Sequence, residues 1–324
     1  MGRHQMASSS ARARVALGAL PLVATVGAIG IGSVAMSPVS SDAPLALPAP
    51  GGAGPVASLP LAPGVPPAPV QVLDLAATDA ALRAEIHRAL LEWKVLFFPD
   101  QDLDPAGQRA LARHWGELET NPLLEQGDDP ATVRFTKGGD GPQTYENIWH
   151  ADTTFRPAPA MGAMLRMIET PPRGGDTIWA DMAAAYDNLT PDVLARIDDA
   201  RAVHDMVPGF VRFLEPEKLE RLEDLFPPVS HPVVRTHPET GRRTLYVNGA
   251  FTTRIEGLEP AESDALLRHL FAQAHVPEYQ VRYRWAPGTV AFWDNRATQH
   301  YAVGDYHPHR RVAERVAIAG DRPC

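Results

Sequence analysis

Residues 145–155, Tyr-Glu-Asn-Ile-Trp-His-Ala-Asp-Thr-Thr-Phe, place His150 and Asp152 two positions apart. Side chains alternate with a period of two along an extended chain, so these two side chains would point the same way. Together with a second histidine from elsewhere they would form the 2-His-1-carboxylate triad that holds Fe(II) and leaves coordination positions open. The pattern alone is weak, because His237-Pro-Glu239 has the same form. The rest of the chain must decide between the two.

The composition indicates a globular chain that could form one large domain or two ordinary ones. Of the 324 residues, 44% are hydrophobic and 21% are charged, and the formal net charge is -9. A negative chain argues against general nucleic-acid binding, because no basic face would offset phosphate repulsion. The single cysteine is Cys324, at the end of the chain. An internal disulfide, a cysteine-based zinc site and a buried catalytic thiol are therefore excluded.

The first part of the chain differs in composition from the rest. Residues 1–36 contain early arginines and then an uncharged apolar stretch over 15–36, which is typical of a signal peptide or a single membrane anchor. The other interpretation is that the start lies too far upstream, so that this segment is not normally part of the protein. Residues 37–57 are rich in proline, alanine and glycine and are expected to form a linker. We expect the folded domain over residues 58–324.

Hydrophobic periodicity predicts many strands interrupted by a few helices. Helical patterns or helix starts occur at residues 79–93, 104–115, 190–191, 215–226 and 259–275. Strands are expected over residues 95–98, 161–168, 280–285 and 289–293, with a hairpin formed by 231–235 and 244–247. Residues 121–141 are rich in turn formers and are expected to be loop. The absence of regular strand–helix alternation argues against a doubly wound sheet and favours a β-barrel or sandwich that carries helices.

The predicted hairpin places His237 and Glu239 at a turn tip, where a ligand role is not expected. His300 is the best candidate for the third ligand, because it follows the predicted strand 289–293 through a short polar segment. It lies far beyond Asp152 in the chain. Only a sheet that closes on itself could bring the two residues together.

The last predicted strand contains two arginines. Its alternation places Val312, Glu314, Val316 and Ile318 on one face and Arg311, Ala313, Arg315 and Ala317 on the other. Two arginines on a face of small residues are costly unless anions pair with them. An arginine fork suits a carboxylate or a sulfonate. The alternative is that Arg311 and Arg315 form two surface salt bridges.

Several motifs together resemble those of one known family. They lie at residues 95–101, 149–155, 174–177, 231–238, 249–255 and 293–301, and in the closing arginine segment. From about residue 58 to the C-terminus, the chain resembles the taurine dioxygenase family of Fe(II)/2-oxoglutarate-dependent oxygenases. The resemblance implies a mainly β fold with helices and a double-stranded β-helix, or jelly-roll, core.

The resemblance also implies how the iron and the cosubstrate would be bound. His150, Asp152 and His300 match the iron ligands of the family. Arg311 matches the arginine that pairs with the far carboxylate of 2-oxoglutarate, and Thr177 matches the threonine that assists it. The resemblance implies O2 as the further reactant besides 2-oxoglutarate and the substrate. No catalytic residue is expected beyond the metal site.

Other positions match the family's substrate pocket. Arg315 matches the residue that binds the substrate's anionic group, and Phe210 and Phe251 match aromatic residues of the pocket lining. Three further pocket positions depart from the taurine enzyme of the family: Asn121, Leu124 and Glu146. A site built around hydrogen bonds discriminates through them, so these departures make a substrate other than taurine expected.

We therefore expect a dioxygenase that uses Fe(II), 2-oxoglutarate and O2 to hydroxylate a small anionic substrate, either a sulfonate or an alkyl sulfate. The products would be succinate, CO2 and, where the hydroxylated product collapses, sulfite or sulfate. One alternative is the same chemistry on a carboxylate or a biosynthetic intermediate. Another is a metal-binding jelly roll without catalysis, which the intact triad and the two arginines argue against.

The expected setting follows from the same chemistry. We expect a cytoplasmic location, because Fe(II) and 2-oxoglutarate are chiefly intracellular. We also expect a homo-oligomer with a small anionic substrate and no nucleic-acid partner. Export or membrane tethering would require residues 15–36 to act as a leader or an anchor.

Overall fold

The computed structural model describes residues 73–120, 130–139, 147–210 and 223–324, together with residue 220 but without the side chains of 209 and 210. The predicted segments 1–36 and 37–57 lie outside the described residues, as does the first part of the predicted domain. Most of the helix predicted over 215–226 also lies outside them. Within the described part, no helix combines the length and apolar character needed to cross a membrane.

Two helices cover one face of the molecule, and both begin where the sequence predicts. Helix α1 spans Ala80–Trp93, and the side chain of Asp79 accepts a hydrogen bond from a backbone N–H of its first turn. Helix α2 spans Pro105–Ala112, with Asp104 as the cap and proline at the first position. It ends before Trp115, the predicted end, so that prediction is too long by the final turn.

The main sheet has five strands, and every neighbouring pair is antiparallel. In spatial order they are β1 (Val95–Phe98), β11 (Val290–Asp294), β3 (Gly162–Glu169), β13 (Arg311–Ile318) and β2 (Val133–Lys137). The prediction of loop throughout residues 121–141 is wrong where β2 lies. Because β2 is an edge strand with alternate residues exposed, its hydrophobic pattern is weak in the sequence.

Smaller sheets complete the β structure. One contains β10 (Gln280–Tyr283), β4 (Thr177–Asp181) and β12 (Thr298–Ala302), and another contains β6 (Val229–Pro232), β5 (Arg201–His204) and β9 (Thr252–Ile255). The predicted hairpin is β7 (Val234–Thr236) with β8 (Arg243–Leu245), shorter than expected because His231 belongs to β6. Strand β12 was not predicted as a strand, since its sequence Thr-Gln-His-Tyr-Ala is largely polar.

The remaining helices are α3 (Met182–Asp187), α4 (Pro191–Ile197), α5 (Val207–Phe210) and α6 (Pro260–Ala272). The core is layered. Trp179 and Trp285, from the side of the β4 sheet, pack against Phe97 and Trp293 of the main sheet. Helices α1 and α2 pack on the other face of the main sheet, and α3 and α6 belong to a separate cluster that contains part of β4. Two facing antiparallel sheets with helices outside them form a sandwich.

The alternation predicted for β13 is confirmed. Val316 and Ile318 pack in the layer with α1 and α2, whereas Ala313 and Ala317 pack in the layer between the sheets. Because alternate residues share a face, Arg311 and Arg315 lie on the inner side. The strand therefore carries two arginines into the space between the sheets.

Candidate active site

The backbone of His150 is joined directly to that of His300 on β12. The His150 N–H donates to the His300 carbonyl at 3.1 Å, and the His300 N–H donates to the His150 carbonyl at 2.7 Å. Their ring centroids lie 4.1 Å apart. This antiparallel bridge brings together two residues that are distant in the chain, as the sequence required.

Asp152 completes a cluster in which the possible ligand atoms of the three residues lie within 4.8 Å of one another. The Nε2 atoms of His150 and His300 each lie 3.9 Å from Oδ1 of Asp152. That distance is too long for a hydrogen bond. Ligands about 2 Å from a shared ion lie roughly 3 Å apart, so a small contraction would close the cluster around a metal. Two imidazoles and one carboxylate are the donor set of the facial triad, and among the described residues this is the only such group.

The Nε2 atoms of both histidines face the Asp152 carboxylate. His150 donates from Nδ1 to the carbonyl oxygen of Ile148 at 2.8 Å, so the neutral ring carries its lone pair on Nε2. Nδ1 of His300 is buried and has no hydrogen-bond partner within the described part of the chain. Burial and the neighbouring His150 and Arg315 lower the pKa of His300 to about 3, although Asp152 opposes this. His300 is therefore neutral at physiological pH, as metal binding requires.

The Asp152 carboxylate is held ionised by its neighbours. Its burial alone would raise its pKa, but the nearby Arg315, His300 and His150, with the hydrogen bond from Asn295, bring the pKa to about 2. Arg315 donates from Nη1 to Oδ1 at 2.6 Å, and Asn295 donates from Nδ2 to Oδ2 at 3.4 Å. Sequence reasoning did not identify Asn295 as a site residue, although it lies within the motif at residues 293–301.

A second group of residues meets around Trp285. Its indole N–H donates to the hydroxyl of Thr177 at 2.9 Å, and the Arg311 guanidinium carbon lies 5.9 Å from the centre of its rings. Arg311 also donates from Nε to the carbonyl of Gly175 at 3.2 Å. A side chain at Gly175 would meet Arg311 at 3.3 Å, and the residue has φ +71°, so glycine fits both the space and the backbone. The structure thus brings Thr177 and Arg311 together, and sequence reasoning missed Trp285.

Arg311 and Arg315 do not lie at the surface, so the alternative of two surface salt bridges is wrong. Arg311 is 8% exposed, and Arg315 pairs with the buried Asp152. The Arg315 guanidinium also lies 5.3 Å from the ring of Phe135 on β2. Its Nε is buried and unpartnered among the described residues. Arg315 therefore has capacity for an anion beside the metal cluster.

An aromatic wall, defined here as Phe251, Phe155 and Phe226, borders the cluster. The ring of Phe251 lies 6.4 Å from that of His150 and 5.0 Å from that of Phe155. Phe155 in turn contacts Phe226 at 5.2 Å. Such a wall can pack against an apolar part of a substrate. Of the other predicted pocket residues, Phe210 ends α5 but its side chain is not described. The remaining three lie outside the described residues: Asn121, Leu124 and Glu146.

The competing pattern at His237 does not form a metal site. His237 lies at the β7–β8 turn as predicted, but it is 3% exposed, with Nε2 at 3.0 Å from Asp294. Glu239 binds Arg296 at 2.7 Å and His87 at 2.7 Å. Its carboxylate is therefore engaged by two other side chains.

Comparison with known proteins decides the family. Residues 57–317 match the family described as taurine catabolism dioxygenase TauD, TfdA family. The chain belongs to the TauD/TfdA family. The match includes the motifs from residue 95 to residue 301 and both arginines of the last strand, Arg311 and Arg315.

Among TauD/TfdA relatives, the α-ketoglutarate-dependent sulfate ester dioxygenase of Pseudomonas putida is 40% identical, over 76% of this chain and 83% of that protein. The alkylsulfatase of Acinetobacter baylyi is 38% identical, over 75% of this chain and 78% of the relative. A crystal structure of a taurine dioxygenase from Burkholderia xenovorans is 36% identical and has a TM-score of 0.66, with 78% and 86% of the two chains covered. The expected mainly β fold with helices and a jelly-roll core is confirmed, and the chain is a dioxygenase.

Proposed function

We propose that this TauD/TfdA dioxygenase uses Fe(II) and 2-oxoglutarate to hydroxylate an alkyl sulfate ester, with organic sulfonates as the related second class. One observation carries the proposal. Arg315, with an unpartnered buried Nε among the described residues, lies beside a His-Asp-His cluster bordered by apolar aromatic rings. A fixed cation next to an apolar surface matches a substrate with an anionic head and an alkyl chain. The two relatives named for sulfate esters support the same substrate class.

The residues have separate tasks in this proposal. His150, Asp152 and His300 would hold iron, and Arg311 with Thr177 would hold the far carboxylate of 2-oxoglutarate. When bound, iron with 2-oxoglutarate and O2 supplies the oxidising chemistry that places one oxygen atom in succinate and the other in a substrate C–H bond, with loss of CO2.

The substrate would be held at both ends. Arg315 would orient the sulfate head, and Phe251 and Phe155 would exclude water from around the carbon next to the ester oxygen. A hydroxyl group on that carbon gives an unstable product, which collapses to an aldehyde and hydrogen sulfate. The carbon–oxygen bond to the sulfate breaks in this step, and the hydroxyl proton leaves with the sulfate.

The test is a substrate panel of alkyl sulfates, alkyl sulfonates, taurine and aryloxy carboxylates, with Fe(II), ascorbate and 2-oxoglutarate present. Succinate, sulfate and sulfite are measured in parallel. We expect succinate and sulfate in equal amounts with alkyl sulfates, and neither product from the His150→Ala variant. Succinate without sulfate or sulfite on a carboxylate would support the alternative substrate class. No substrate-dependent succinate on any member would reject catalysis on these substrates.

Three earlier expectations stay predictions. They are the domain start near residue 58, the homo-oligomer and the cytoplasmic location. Mass spectrometry of the mature N-terminus and light scattering of the purified enzyme test the first two, and cell fractionation tests the third.

A further inference from the structure

Strand β2 lies beside the strand that carries Arg315, and the proposed function gives none of its residues a task. In the antiparallel pairing, Ala313 lies opposite Phe135 and Arg315 lies opposite Val133. Residues that lie opposite each other share a face of the sheet, so Phe135 and Val133 face the inner side together with Arg315. The edge strand therefore adds two apolar side chains to the side of the sheet that carries the proposed substrate-binding arginine.

Two features fix this register. On the outer face, the Glu314 carboxylate pairs with Arg134 of β2 at 2.9 Å and with Arg166 of β3 at 2.6 Å, and it lies opposite both residues in the strand pairing. After the end of β2, Gly138 has φ +91°, and a side chain there would collide with a backbone carbonyl of the segment before β13. A slip of one residue would turn Phe135 to the outer face and break the pairs with Glu314.

The ring of Phe135 reaches the guanidinium group of Arg315. The centre of the ring lies 5.3 Å from the guanidinium carbon, which is within the range of a cation–π contact. The two residues are diagonal neighbours across the strands, a separation that aromatic and long side chains can bridge. Ala313, directly opposite Phe135, has no side-chain atom beyond Cβ and so leaves room for the ring.

Arg315 is therefore held at two places. Its Nη1 donates to Oδ1 of Asp152 at 2.6 Å, and the ring of Phe135 covers the guanidinium group. Its Nε is buried and has no hydrogen-bond partner in the part of the chain that the structure describes. The N–H groups of a guanidinium have a fixed planar geometry, so holding Nη1 and the plane of the group also fixes the direction of the Nε–H. The free donor thus points in one direction before any ligand binds.

An arginine that is fixed in advance binds an anion more tightly than a mobile one. Ordering one long side chain at the moment of binding lowers the affinity by on the order of twofold to tenfold. The oxygens of a sulfate head accept hydrogen bonds from guanidinium N–H groups only when the two groups are correctly oriented. The contact between Phe135 and Arg315 therefore bears directly on how the head of the substrate is held.

We infer that Phe135 is a positioning residue for the substrate, because its ring stacks on Arg315 and holds the guanidinium with its free Nε–H directed at the sulfate head. This inference rests on the proposed function. It gives β2 a task separate from that of the aromatic wall, whose rings would pack against the alkyl chain. Since Phe135 acts on the head of the substrate through Arg315, its contribution to affinity is independent of the length of the alkyl chain.

The experiment measures the affinity of butyl, hexyl and octyl sulfate for the enzyme loaded with Fe(II) and 2-oxoglutarate, by calorimetry without O2. In Phe135→Leu, all three ligands bind more weakly by the same factor, on the order of twofold to tenfold. Phe135→Tyr keeps an aromatic face for the guanidinium and keeps the wild-type affinities. Phe135→Met fills similar space without a ring, and it carries the test if Phe135→Leu does not fold.

The matched control is Phe271→Leu, which makes the same change at a part-buried position of α6, in the separate core cluster. It leaves all three affinities unchanged. Iron content and the free energy of unfolding are measured for every variant, and Phe135→Leu retains its iron because the metal ligands are intact. A merely structural role for Phe135 would lower the free energy of unfolding without changing the affinities of the folded enzyme.

The outcomes distinguish this inference from the proposed function. A loss of affinity that grows with each added methylene would show that Phe135 contacts the alkyl chain, and it would reject the inference while the proposed function stands. Unchanged affinities in Phe135→Leu and Phe135→Met, or an equal loss in Phe135→Tyr, would reject it in the same way. If the loaded wild-type enzyme binds none of the three sulfates, the proposed substrate class is wrong, and the inference falls with it.

Discussion

The part of the chain that the structure describes contains two buried clusters of histidine and carboxylate, and only one of these two has the arrangement of a metal site. His237 donates from Nε2 to Asp294 at 3.0 Å, while its Nδ1 accepts from the backbone N–H groups of Glu239 and Thr240, both at 3.2 Å. In the other cluster, Nε2 of His150 lies 3.9 Å from Asp152 and keeps its lone pair. His237 and Asp294 thus form a closed cluster, in which the two side chains are joined by a hydrogen bond. His150, Asp152 and His300 form an open cluster, in which the possible ligand atoms face one another at distances too long for a hydrogen bond.

Acidity does not distinguish the two clusters. Burial would raise the pKa of Asp294, but its hydrogen bonds with His237 and Arg296, with their charges, lower it to about 2. The pKa of Asp152 is also lowered to about 2, through Arg315 and the two ligand histidines. The two clusters differ instead in whether the histidine nitrogen that faces the carboxylate is hydrogen-bonded to it. A metal site keeps nitrogen lone pairs directed at a carboxylate with no proton between them.

Removal of the open cluster's carboxylate should have the largest effect on activity. We expect Asp152→Ala to lose iron binding and to lower turnover by more than the roughly 10–100-fold that loss of an outer-shell partner costs. Iron content and succinate formation are the measurements. Retained stoichiometric iron in this variant would contradict the assignment of the ligand set.

Removal of the closed cluster's carboxylate should instead affect stability. Asp294→Asn leaves Arg296, which is 5% exposed, without its main counterion. Loss of one partner of a buried ion pair costs about 3–5 kcal/mol in the free energy of unfolding. Denaturant unfolding and iron content are measured together. Iron binding by the folded fraction should be unchanged, and loss of iron at unchanged stability would reverse the roles of the two clusters.

Both clusters illustrate what the sequence can predict. His150 and Asp152 were found because a period of two acts within one short segment, and the alternation of β13 correctly placed Arg311 and Arg315 inside. Trp285 and Asn295 were missed, because their hydrogen bonds to Thr177 and to Asp152 join residues far apart in the chain. No local pattern encodes such a contact.

The strand errors have a similar origin. Strand β2 is exposed on alternate residues and lies beside turn formers, so tertiary pairing with β13 decides its conformation. Strand β12 is polar because it carries His300 and buried hydrogen-bonding groups between the sheets. A functional strand thus departs from the hydrophobic pattern that would reveal it.

The pH dependence of stability gives a smaller, graded test of the closed cluster. The folded-state pKa of Asp294 is about 2, below its ordinary value of 3.8. A lowered pKa stabilises the fold above the ordinary value, and that stability is lost as the pH falls through the folded-state value. We expect roughly 2 kcal/mol to disappear between about pH 4 and pH 2, at about 1.4 kcal/mol per unit of pKa.

The control for this prediction is Asp294→Asn, which cannot titrate at that position. Its unfolding free energy should fall less steeply than that of wild type over the same range. Asp152 titrates in the same window in both proteins, so the difference between the two curves isolates Asp294. Parallel curves would show that Asp294 does not have a lowered pKa.

The smallest expected effect tests whether the open cluster depends on a closed network behind it. The fully buried Thr154 hydroxyl accepts a hydrogen bond from Nδ2 of Asn248 at 3.0 Å and lies 3.1 Å from Nδ1 of His204. Oδ1 of Asn248 accepts from the Phe251 N–H at 3.0 Å, so this network joins the metal-binding segment to the aromatic wall. Thr154→Val leaves these buried groups unpaired and should cost about 1–3 kcal/mol.

Thr154→Ser keeps the hydroxyl and loses only one methyl group, at a cost of roughly 0.8 kcal/mol. If the network positions Phe251, Thr154→Val should raise KM for an alkyl sulfate and release succinate in excess of sulfate, whereas Thr154→Ser should keep the two products equal. If both variants lose the same stability and still release succinate and sulfate in equal amounts, the network supports only the fold. In that case the metal cluster would keep its open geometry without support from the closed hydrogen bonds around Thr154.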